Sequence, residues 1–148
     1  MTFKAKATAK ATGVITAMML SAGFVFGGAG GANAMGPMVE AMDQDVSGGV
    51  VTASKIMAGE NGWLVVHRTN SDMKPGPVVG YAPLKKGENT DVSAILQEPV
   101  KSGEMLMLMV HSEAGGMKTG VFEYTLGAKE DGPIKPDGKL VMKVVSAQ

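Results

Sequence analysis

The chain carries only two histidines and no cysteine, so the side chains able to ligate or transfer protons near neutral pH are few. His67 opens HRTNSDMKPG and His111 opens HSEAGGMKTG. Both segments read His, five residues, Met-Lys-x-Gly, then a run ending in Tyr81 or Tyr124. The chemistry such a set could do is soft-metal binding: thioether sulfur suits Cu(I), and imidazole suits copper, zinc and nickel. His67, Met73, His111 and Met117 would supply two nitrogens and two sulfurs if the two strand ends lie side by side, and copper is the cofactor this set implies. Met107 and Met109 could assist, because Met109 shares a strand face with His111. The plainer reading is packing. Methionine fills cores, and a histidine at a strand end commonly bonds a loop carbonyl through its ring N–H. The two readings separate on geometry, since imidazole nitrogens more than about 6 Å apart could not share an ion at about 2 Å from each.

The remaining functional groups point away from catalysis. The sequence holds no Gly-x-Ser-x-Gly elbow, P-loop or dinucleotide fingerprint. Asp43-Gln44-Asp45 lacks the third ligand and the distant glutamate of a calcium loop. Glu88, Asp91, Glu104 and Glu113 are scattered acids that read as solvated charges, with a hydrolase using loop carboxylates as the weaker alternative. A non-enzymatic protein is expected.

The elements that position these residues follow an export signal. Lys4, Lys6 and Lys10 precede an apolar run from Val14 to Phe26 and the small-x-small site Ala32-Asn33-Ala34. The run of 13 residues is short of the roughly 20 that span a bilayer as a helix. Residues 1–34 are therefore expected to be a signal peptide, with no stable membrane insertion after cleavage. The protein would then be periplasmic, cell-surface or extracellular, with an envelope or surface protein as its partner. The 14 basic and 14 acidic groups of the whole chain divide unevenly: from Met35 onward there are 11 basic against 14 acidic, a net charge of −3. That balance argues against a nucleic-acid binder, which clusters Lys and Arg against phosphates.

Residues 35–44 are expected to be a mobile Met-rich arm leading into a first strand near Val39, and 45–148 a single domain. The text after residue 45 is short runs of β-formers punctuated by Gly, Pro, Asn and Asp. Strands are expected near Val50–Ile56, Trp63–Arg68, Val78–Leu84, Asp91–Leu96, Met105–His111, Val121–Tyr124 and Leu140–Val145. Asn61-Gly62 and Asp137-Gly138 suit type I′ turns. The fold class is all-β: a small immunoglobulin-like or cupredoxin-like β-sandwich of about seven strands, or a small barrel. Met105–Val110 (MLMLMV) is apolar on both faces, which places it centrally, with one face in the core and the other under a loop or partner. Trp63 is the expected core anchor.

The run from Asn61 to His67, then Pro75 to Leu84 and Gly87 to Val92, resembles an uncharacterised domain family of exported and surface proteins in archaea and bacteria. Met109-Val110-His111, Glu113-Ala114-Gly115, Phe122-Glu123-Tyr124 and Asp131-Gly132-Pro133-Ile134 extend the resemblance over nearly all of the chain after the signal. It implies a small sandwich module without an assigned activity, in which His67 and His111 fall on family-like positions. Met73, Met117 and the arm methionines lie outside the family pattern.

Overall fold

A computed structural model describes residues 35–148. The expected signal peptide lies outside the described residues. Seven strands occur in chain order: β1 (Met38–Glu40), β2 (Val50–Ala58), β3 (Gly62–Thr69), β4 (Val78–Leu84), β5 (Gly87–Leu96), β6 (Met105–Ser112) and β7 (Met142–Ser146). The one helical element among the described residues is a 3-10 turn, Pro136–Gly138. No helix of the described residues is long and apolar enough to cross a membrane.

All the strands pair antiparallel in the order β1-β2-β5-β4-β3-β6-β7. β3, β4 and β5 lie antiparallel side by side in chain order and β2 lies on the far side of β5, a Greek-key arrangement. Only Gly80↔Leu96 and Tyr81↔Ile95 join β4 to β5. The sheet folds over at this narrow seam, and its two halves close on an aliphatic core that includes Val51, Ala53 and Ile56 from β2, Leu64 and Val66 from β3, and Leu106, Leu108 and Val110 from β6. The far edges also meet. Gln44 bridges Ala147, the Gln44 amide donates to Ser146 O, and Asp43 Oδ1 accepts from Ser146 N. The outcome is the expected all-β sandwich, nearly closed into a barrel.

Strand alternation sets a second layer. On β3 and β6 the even-numbered residues from Leu64 to Val66 and from Leu106 to Val110 enter the aliphatic core, while Trp63, Val65, His67, Met107, Met109 and His111 face the other way and are buried as well. β6 is thus central and covered on both faces, as its doubly apolar text requires. The cover is the irregular segment 113–131, which leaves β6 and returns beside it through Ser112 N to Gly132 O and the His111↔Pro133 bridge.

Three local expectations change and one holds. Val121–Tyr124 is part of this covering strap and not a strand, because its aromatic side chains pack downward onto β3 and β6. Asn61-Gly62 does not turn through positive φ; Gly62 is the first residue of β3. Asp137-Gly138 turns as expected, with positive φ at both residues and Lys139 N donating to Pro136 O across them before β7. The first strand near Val39 forms as expected, but the arm around it is built into the sheet: Met38–Glu40 pairs with β2, and the Gln44 side chain clamps both the N–H and C=O of Thr52.

Gly62 sits opposite Ser112, where a Cβ would strike the His111 carbonyl oxygen. Backbone that close has no rotamer with which to yield. Gly62→Ala should lower unfolding stability by about 1–3 kcal/mol, measured by denaturant titration; an unchanged midpoint would contradict the tight β3–β6 approach.

Candidate functional site

His67 closes the odd-numbered face of β3, and His111 closes that of β6. In register, His67 lies opposite Met107 and His111 opposite Trp63, with the Val65↔Met109 pair midway between them. Four residues of strand separate the two positions, about 13 Å. Their ring centroids are nevertheless 5.5 Å apart and their Nε2 atoms 3.4 Å apart. Both rings therefore lean inward over the Val65–Met109 pair. His67 is 0% and His111 1% exposed.

Each ring is held from behind. His67 Nδ1 donates to Gly76 O at 2.8 Å, and His111 Nδ1 donates to Asp131 O at 2.6 Å. A carbonyl oxygen only accepts, so both Nδ1 atoms carry the proton, and the neutral rings present their Nε2 lone pairs to one another.

The loops supplying these carbonyls are themselves fixed. On the β3 side, Gly76 N donates to Arg68 O and Arg68 N to Pro77 O, which folds the 70–77 loop against the strand end. A Cβ at Gly76 would stand 2.7 Å from Arg68 O, so this approach needs glycine. A register shift next to His67 leaves Val79 as the extra residue of β4. On the β6 side the organiser is Asp131, fully buried with φ of 45°. Its carboxylate accepts from Ala114 N and Glu123 N, its own N–H donates to Ala114 O, and its carbonyl takes the His111 proton.

The walls are aromatic. Trp63, Tyr81, Phe122 and Tyr124 are the chain's only aromatic residues after position 34, and they form one cluster. Tyr124 stands edge-on to His111 at 4.6 Å and to His67 at 5.9 Å, while Phe122 stacks on Tyr81 at 4.4 Å. Trp63 is buried, but in this outer layer and not in the aliphatic core where it was expected. Its indole N–H has no acceptor among the described residues.

The structure brings together His67 and His111, with Met107 and Met109 buried on the same layer. It does not gather the two methionines of the repeated motif. Met117 is 91% exposed, so its sulfur faces solvent on the strap, and Met73 is 45% exposed on the 70–77 loop. The repeat is not a structural repeat either, because Gly76 of the first copy supplies a histidine acceptor while the second copy uses Asp131 and not Gly120. Met35 and Met42 are likewise exposed. The scattered acids have separate partners: Glu88 pairs with Lys55, Glu104 with Arg68, and Glu113 accepts from Gly120 N. Sequence reasoning missed Phe122, Tyr124 and Asp131 as parts of the site. The available signal was the scarcity of aromatics, which leaves any second hydrophobic layer to those four residues.

Burial pushes the His111 pKa down to about 4 against the pull of Asp131 O, and the neighbouring imidazole lowers it further. Burial also lowers His67, opposed by its bond to Gly76 O. The groups facing the pair are Tyr124 and the two backbone carbonyls. A folded pKa below the unfolded one means that the unfolded chain binds the proton more readily. Stability is therefore full above pH about 6.5 and falls as the pH drops toward 4, by about 3 kcal/mol for a shift of this size. Denaturant midpoints measured between pH 7.5 and 4.5 should decline accordingly; a flat profile would mean that the pair is not neutral and buried.

Asp131→Ala strands two strap amides and should cost about 3 kcal/mol, since a carboxylate bonded to buried N–H groups is a strong partner. Trp63 fluorescence should shift to the red in the same variant as the strap loosens. Retained stability with unshifted emission would argue against Asp131 as the organiser.

No curated protein and no solved structure matches the chain. Residues 37–148 match the family described as "Domain of unknown function (DUF7282)", and the chain belongs to that family.

Proposed function

We propose that this protein is an exported, non-enzymatic β-sandwich module that acts at the cell envelope by binding a cation between His67 and His111. The observation that carries the reading is the pair of Nε2 acceptors 3.4 Å apart beneath the strap. Two facing lone pairs attract a positive charge, and burial of both rings shuts out an organic substrate. The layer also sacrifices stability: facing acceptors repel, and the orphaned Trp63 N–H costs about 1–3 kcal/mol. Local violations of good packing of this kind collect at functional sites. The Lys-rich, apolar leader pattern ending at Ala34 supports export, and the absence of cysteine leaves the domain to rely on burial and not on disulfides. The net charge of −3 after the leader suits a protein partner or cation in preference to nucleic acid.

The test has two parts. Expressed with its leader, the protein should be recovered from the envelope or medium, with a mass that begins at Met35. A panel of mono- and divalent cations, added to tag-free protein, should include at least one that raises the melting temperature. At 100 times its Kd such a ligand adds about 2.7 kcal/mol. Recovery from the cytoplasm with the leader intact would overturn the export reading, and melting indifferent to every cation would overturn the binding reading.

A further inference from the structure

We propose that the cation is Cu(I), held by His67 Nε2 and His111 Nε2 with the Met109 thioether as third donor. The assignment rests on the binding role proposed above.

The first argument is geometric. An ion about 2.0 Å from each of two nitrogens 3.4 Å apart subtends an N–metal–N angle of about 115°. That angle lies between tetrahedral and trigonal, so the ion requires a further donor. A linear two-nitrogen ion would instead need about 4.0 Å between them. Met109 occupies the register position midway between the histidines, on the same strand face, and is 1% exposed. Its cross-strand neighbour Val65 offers no donor atom. A thioether beside two imidazoles makes a soft, neutral set that favours Cu(I).

The second argument is the support behind the rings. Metal-ligating histidines usually donate their other N–H to a carbonyl or carboxylate, which fixes tautomer and orientation. Gly76 O and Asp131 O do this for both rings.

The third argument is charge. A buried divalent ion is usually held by three or more imidazole, thiolate or carboxylate side chains. Both carboxylate oxygens of Asp131 are already engaged by strap amides, and no group of three His, Cys, Asp or Glu side chains gathers among the described residues. A single positive charge among neutral donors and aromatic walls costs far less.

The experiment is anaerobic titration of tag-free protein with Cu(I) against a chromogenic chelator, with parallel titrations of Zn(II), Ni(II) and Cu(II). One equivalent of Cu(I) should bind in preference to the divalent ions, with X-ray absorption showing nitrogen and one sulfur at the metal. His67→Gln and His111→Gln should each weaken binding by at least the roughly 10–100-fold that loss of an outer-shell partner costs, and Met109→Leu should weaken it while removing the sulfur signal. Because a buried histidine variant can fail to fold, wild-type protein gives the independent readout: Ag(I), a soft monovalent surrogate, should shift the Nε2 nitrogen resonances of both histidines. Preference for a divalent ion at the pair overturns Cu(I) and leaves the binding role standing. No cation bound at all overturns both. Cu(I) binding that survives both histidine variants, or Ag(I) that leaves both Nε2 resonances in place, assigns the metal elsewhere and overturns the proposal. A sulfur signal that persists in Met109→Leu overturns the third donor.

Discussion

Two hydrogen bonds from ring N–H to backbone carbonyl, His67 to Gly76 and His111 to Asp131, set the chemistry of the whole outer layer. Without them each imidazole could place its proton on either nitrogen, and the pair would settle as a simple N–H···N contact. With both protons drawn outward, the inner nitrogens become acceptors at short range in a dry environment where such alignment is felt strongly. The site is therefore a property of two loop backbones as much as of two side chains. One loop closes within eight residues by folding against the end of β3. The other lies over β6 as a long strap, and the Asp131 carboxylate at its end holds its start at Ala114 and its middle at Glu123.

The division into two layers explains how the fold tolerates such a feature. The aliphatic core between the sheet halves includes the inward faces of β2, β3 and β6 and supplies the burial that a domain without disulfides depends on. The outer layer on β3 and β6 is smaller and built from different material: four aromatic residues, two methionines, one valine and the histidines. Edge-on and stacked contacts suit irregular cover, because large rings bury much area without the repeat of a strand. The facing acceptors and the unpaired indole N–H are local costs borne in this layer and not in the core.

Much of the fold was legible because its signals are periodic. Alternation and turn residues located β2 to β7 to within a few residues, and the unbroken apolar text of Met105–Val110 required cover on both sides of β6. The misreadings share a cause. Val121-Phe122-Glu123-Tyr124 has strand-like composition, but its aromatic residues serve as a lid, and composition does not distinguish a strand in a sheet from a strap lying across one. Asn61-Gly62 has the text of a tight hairpin turn; glycine is needed there because β6 approaches too closely for a Cβ. The Met-Lys-x-Gly repeat pointed to the correct histidines, yet attached them to methionines that face solvent.

The sequence by itself determined the residue types from which any site had to be made: two histidines, ten methionines after the leader pattern, no cysteine, and a β-rich chain with one strand that could not face water on either side. These follow from composition and from a two-residue period, both local properties. Only the tertiary structure decided that residues 44 positions apart bring their Nε2 atoms to 3.4 Å, that Met109 and not Met73 or Met117 lies beside them, and that Asp131 spans the strap. The physical reason is register. Which side chains meet across two strands depends on how the backbones slide and on which loop carbonyls turn inward, and no spacing along one strand records either.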